Sequence, residues 1–120
     1  TFADGIAFDA EVHLWVTSIV SNRLFRIAPD GAAALMFEDG NPEHIDRVEK
    51  ALTDRSVTRD HFYLKSGQRV QNIASIAFGG ADLRTAYLGS LVGDTLPVFR
   101  SPVAGLPLPH WRYGDKNVGN

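Results

Sequence analysis

Short apolar runs broken by turn residues dominate the first third of the chain. Ile6 to Asp9 is one such run, closed by the turn Asp9-Ala10-Glu11-Val12, and Leu14 to Ser18 brings the β-favouring Trp15, Val16 and Thr17. Arg23 to Ile27 alternates, with Leu24 and Arg26 on one side and Phe25 and Ile27 on the other. Pro29-Asp30-Gly31 predicts a turn, since proline presets φ and glycine accepts the positive φ that follows. Ala33 to Phe37 then reads as an outer strand, so residues 1–40 are expected to form one four-stranded unit.

Residues 41–70 break this rhythm and predict a helical insertion. Asn41-Pro42 is a helix start, a capping side chain followed by a proline whose missing N–H costs nothing there. Ile45, Val48 and Leu52 follow at helical spacing, and Glu43–Arg47 and Asp46–Lys50 are acid-first i,i+4 pairs. Thr58 is a cap for a second short helix running through Leu64, with Gly67 as its stop. The expected role of this segment is a lid or an edge cover. Strands return over residues 71–103, at Asn72 to Phe78, Thr85 to Leu91 and Leu96 to Arg100. Residues 104–120 read as an extended tail, anchored by Trp111 and Tyr113 and fraying after Gly114.

The two strand regions repeat one another. Ile6-Ala7-Phe8 returns as Ile76-Ala77-Phe78, Leu14 to Ser18 as Ala86 to Ser90, and Leu24 to Ile27 within Leu96 to Arg100. A repeated multi-strand unit that cannot bury its own apolar face marks a propeller-type array, and two copies are too few to close a ring. The chain is therefore expected to be the later part of a larger, mainly β protein.

Composition narrows the chemistry. In 120 residues the net charge is −2 and the 12 Lys and Arg are scattered, so no basic stripe exists to neutralise phosphates, which argues against a nucleic-acid partner. No apolar run approaches a membrane span, which argues against a membrane partner. Cysteine is absent, which removes disulfides and thiolate chemistry but leaves the compartment open, with the cytoplasm favoured. No serine sits in a Gly-x-Ser-x-Gly elbow, and His13, His44, His61 and His110 lack the spacing of a helical metal pair.

The stretches Asp4 to Glu11, Leu14 to Val16 and Arg23 to Gly31 resemble a blade of the SMP-30/gluconolactonase/LRE-like family, and Ser75 to Tyr87 looks like that family's last blade. Arg100 to Pro107 is similar to C-termini in one bacterial branch. The resemblance implies the last two blades of a six-bladed β-propeller, carrying a divalent metal, calcium or zinc, at the mouth of its channel. It implies a hydrolase of sugar lactones or related esters. The Asp of the Asp-Gly pair is there both metal ligand and general base, which maps onto Asp4. The family's other ligands, a Glu and an Asn, would lie upstream, so the chain by itself is expected to be inactive. The family's usual Gly-Asn at the first turn is replaced here by Val12-His13.

Read from the residues alone, Asp4 has two readings. It is either a carboxylate able to reach a hard cation in a channel, or a turn residue bonded to its own backbone beside Gly5. Ser18 ends a strand and is a candidate group lining the substrate channel; Ser90 and Asn22 at comparable places read as loop or backbone capping. A non-catalytic propeller serving in binding or as a scaffold, or a gene fragment, shares the same fold. Two blades alone would leave sheet faces open, so the isolated chain is expected to self-associate or to be only marginally folded.

Overall fold

A computed structural model describes residues 2–112 of the chain, and the expected anchor Tyr113 lies outside them. The described residues are mainly β, with two antiparallel sheets, two helices and no closed barrel. The first sheet has four strands in sequence order: β1 (Ala3–Phe8), β2 (Leu14–Ser18), β3 (Arg23–Ile27) and β4 (Ala33–Glu38). The helices α1 (Pro42–Thr53) and α2 (Arg59–Tyr63) follow. The second sheet is β5 (Ile73–Gly79), β6 (Thr85–Ser90) and β7 (Val98–Arg100). β7 begins only after Pro97, which has no N–H for a ladder, although its carbonyl still accepts from Leu88 N at 2.9 Å.

The repeat extends to the pairing register. Ile6 opposes Val16 as Ile76 opposes Leu88, Ala7 opposes Trp15 as Ala77 opposes Tyr87, and Phe8 opposes Leu14 as Phe78 opposes Ala86. Both first strands carry an irregularity at the same point, between Ala3 and Ile6 and between Ile73 and Ser75.

Directly opposed residues share a face, so each sheet has two distinguishable faces. In the first sheet, Ala7, Trp15, Leu24 and Phe37 point to the second sheet and enter the common core. In the second sheet, the core face is Ile76, Phe78, Ala86, Leu88 and Phe99. By the repeat these correspond not to the Trp15 face but to the opposite one. The sheets therefore pack head to tail, the Trp15 face of one on the Phe78 face of the other. Trp15 sits edge-on to Phe78, ring centroids 5.6 Å apart at 79°, and 6.1 Å from Phe99. Gly5 sets the approach, because a Cβ there would lie 2.5 Å from the Ala74 carbonyl oxygen.

This packing leaves the outer face of the first sheet uncovered by the second. That face carries two apolar rows across all four strands: Ile6, Val16, Phe25, Leu35 and Phe8, Leu14, Ile27, Ala33. Ile6, Phe8 and Leu35 are 62%, 48% and 50% exposed.

α1 begins where its cap predicts, the Asn41 side chain accepting from His44 N at 3.1 Å. Its buried residues are His44, Val48 and Ala51, whereas Leu52 is exposed, so the buried face is turned from the expected Ile45-Val48-Leu52 stripe. His44 lies on that face and is 3% exposed. α2 starts at the expected Thr58 cap, whose backbone N–H donates to His61 Nδ1 at 2.9 Å, and ends at Tyr63. The helical segment leaves from the end of β4 and re-enters at the start of β5, at the same end of the sheets as the start of β1. The tail closes the opposite end: Gly105 bridges Asp9, and Leu106 N donates to the Phe8 carbonyl at 3.0 Å.

Candidate functional site around Asp4

Asp4 stands near the start of β1, an edge strand of the first sheet, at the end from which the helical segment departs. Ala3 opposes Ser18 and Ile6 opposes Val16, so Asp4 and Gly5 together face the single residue Thr17. This is a β-bulge, a device that turns a side chain out of the regular alternation. Thr17 secures it: its Oγ1 accepts from Gly5 N at 2.9 Å and donates to Gly5 O at 3.3 Å. In the second unit the equivalent bulge position is Ala74. Asp4 is exposed, and among the described residues it has no hydrogen-bond or ion-pair partner. The turn reading of Asp4 beside a positive-φ glycine is not what the backbone adopts, since Gly5 is extended and the positive-φ glycines are Gly31 and Gly80.

The other polar groups at this end are engaged inside the protein. Ser18 is fully buried; its Oγ accepts from Phe2 N at 2.9 Å and from Ser21 Oγ at 2.6 Å. Ser90 Oγ donates to the Gln71 carbonyl and accepts from Gly93 N at 2.7 Å. Asn22 is fully buried with φ 46°, and links three segments. Its Oδ1 accepts from Ile73 N at 3.1 Å, while Nδ2 reaches the Asp39 and Val70 carbonyls, each at 3.4 Å. Asn72, φ 49°, donates to the Phe62 and Leu64 carbonyls of the helical segment. Asp39 Oδ2 takes the backbone N–H groups of Arg69 at 2.6 Å and Val70 at 2.9 Å. These side chains set the floor on which the Asp4 end is built.

A second carboxylate, Asp9, is more than the turn residue that its place in Asp9-Ala10-Glu11-Val12 suggests. It is fully buried at the far end of β1, where Oδ2 accepts from Trp15 Nε1 and Arg26 Nε, both at 2.8 Å. Oδ1 accepts from the backbone N–H groups of Glu11 at 2.9 Å and His13 at 3.0 Å. Burial alone would raise its pKa; the Arg26 guanidinium, the indole N–H and the His13 amide outweigh that and hold the carboxyl below the ordinary range. Every lone-pair direction is taken up, so Asp9 is a structural fastener. The sequence signal was the spacing of Asp9, Trp15 and Arg26, which places all three on one sheet face.

A scan against protein-family models finds no match, and a search of curated proteins finds no similar sequence. Among the described residues no three His, Cys, Asp or Glu side chains converge as a metal cage would require. Asp4 by itself offers one carboxylate, whereas a calcium ion takes roughly 6–8 oxygens.

Proposed function

We propose that the chain forms the last two blades of a six-bladed β-propeller hydrolase of the SMP-30/gluconolactonase type. In this reading Asp4 contributes one carboxylate to a divalent calcium or zinc ion and serves as general base on a sugar lactone or related ester. The supporting observation is the pair of equivalent bulges, one of which presents Asp4 outward with its oxygens unclaimed while its counterpart bears only Ala74. A charged group held ready for a partner is what a site needs; a structural carboxylate looks like Asp9 instead. The head-to-tail packing of the sheets favours the array, because such packing continues from unit to unit.

The metal would polarise a carbonyl oxygen and acidify a bound water when present. The chain's own part is to aim Asp4 through the Thr17-locked bulge, with the helical segment at the same end of the sheets. The remaining donors would come from other units.

The test is made on the propeller completed by its preceding blades. Asp4→Asn, which keeps the shape and removes the charge, is expected to abolish calcium or zinc binding by calorimetry and to lower lactone turnover by about 10²-fold or more. Retention of both in Asp4→Asn overturns the assignment. A propeller whose preceding blades lack an early Glu and a mid-chain Asn points instead to the non-catalytic binding or scaffold reading.

A further inference from the structure

We infer that the two open sheet faces are complementary halves of one interface, and that in the isolated 120-residue chain a second copy takes the place of adjoining blades and fills each of them head to tail. The interface exists once within the chain: the Trp15 face of the first sheet on the Phe78 face of the second. Each sheet has both kinds of face, and only one of each is used internally. What remains is the Phe8 face of the first sheet, equivalent to the Phe78 face, and the Tyr87 face of the second, equivalent to the Trp15 face.

The register makes the contact specific. Tyr87 takes the place of Trp15, Phe8 that of Phe78, and Ile27 that of Phe99. Tyr87 of one copy therefore rests on Phe8 and Ile27 of the next. Its ring already lies over Gly79, where a Cβ would come within 2.9 Å of it, so the face is flat where Asp9 braces Trp15 in the other sheet. Outward from Tyr87, Val98 is 55% exposed, and Leu35 is 50% exposed at the outer strand of the opposing face. Such an interface is not self-cancelling: each docking leaves a new open pair, and growth stops only when a ring closes. The inference rests on the repeat read as propeller blades only for the size of that ring, in which three copies of two sheets each make six.

Sedimentation velocity on the 120-residue chain tests this with two single variants. Phe8→Arg spoils one face and Tyr87→Arg the other. Wild type is expected to assemble as concentration rises, each variant alone to remain monomeric, and their equimolar mixture to form dimers and nothing larger. Only a head-to-tail interface gives that complementation. Circular dichroism of each variant checks the fold, and Leu35→Arg with Val98→Arg repeats the design if either fails to fold. A wild-type chain that stays monomeric to its solubility limit, or a mixture that stays monomeric, overturns the inference. A closed wild-type trimer supports both the interface and the six-sheet ring. Another closed size, or an open polymer that the mixture still caps at dimers, supports the interface and overturns the six-sheet reading.

Discussion

Val12 is the most strained of the described turn residues, a β-branched side chain at φ 63°. L-residues pay roughly 1–2 kcal/mol in this left-handed region. The turn persists because its backbone bonds, Val12 N to Asp9 O and Asp9 N to His13 O, both at 3.0 Å, hold it. Val12→Gly removes the steric conflict while loosening the unfolded chain, and is expected to stabilise by about 0.5–1 kcal/mol in chemical denaturation. No gain would mean that the exposed valine makes compensating contacts. Asp9 is the opposite case. Asp9→Asn keeps the size but strips the charge from a buried partner of Arg26, and is expected to cost roughly 2–3 kcal/mol. Because the folded carboxyl titrates below its unfolded value, its contribution is complete above the unfolded pKa of about 4 and is lost as pH falls through the folded one. Wild type should therefore lose stability in that acid window more steeply than Asp9→Asn.

Among the described elements, α1 carries a buried histidine, His44, whose surroundings favour its neutral form. His44 is 3% exposed on the inner face of α1, and neither ring nitrogen makes a well-formed hydrogen bond. It faces Arg47, Asp60, His61 and Leu64 around a cavity of about 210 Å³. Burial first, and the Arg47 charge second, hold its pKa below the ordinary value, a pull that the His61 backbone carbonyl opposes only in part. A depressed histidine leaves the fold fully stable above the unfolded pKa of about 6.5, and stability falls as pH drops below it. Thermal melts at pH 7.5 and 5.5 are expected to show this loss in wild type and much less of it in His44→Leu. Equal losses in both would place the sensitivity elsewhere. The helix starts were legible because caps are local: Asn41 and Thr58 act within three residues of themselves. The buried face of α1 was not, because a histidine counts as polar in any periodicity, and which side of a short helix turns inward depends on what it meets.

At the scale of the molecule, the described structure is long and thin, 57 × 30 × 26 Å. Its radius of gyration of 16.5 Å exceeds the ~14 Å of a compact domain of this length. Two sheets share one seam of core, and the outer face of the first presents apolar rows across four strands with no second sheet against it. Ile6, Phe8 and Leu35 on those rows stay about half exposed or more, although Val16 among them is buried, and an apolar patch of that kind marks a contact surface. Stability of the isolated chain should accordingly rise with its concentration, as the complementation of Phe8 and Tyr87 variants is designed to reveal.

The sequence by itself determined the strands, the turns, the helix caps and the repeat, because each depends on neighbours a few positions away or on a period of two. Asp4 stood out only through the resemblance of its Asp-Gly pair to a family motif; the residues alone left a turn reading beside it. Only the tertiary structure decided that Asp4 and Gly5 form a bulge, since that requires the partner residue Thr17 across the ladder. Only it made Asp9 a buried fastener and Asn22 a link to the second sheet, contacts that span 17 and 51 residues. And only it decided which face of each sheet is inside. Alternation divides a strand into two faces; where both are apolar, as along Ile6-Ala7-Phe8, the choice belongs to whatever packs against them.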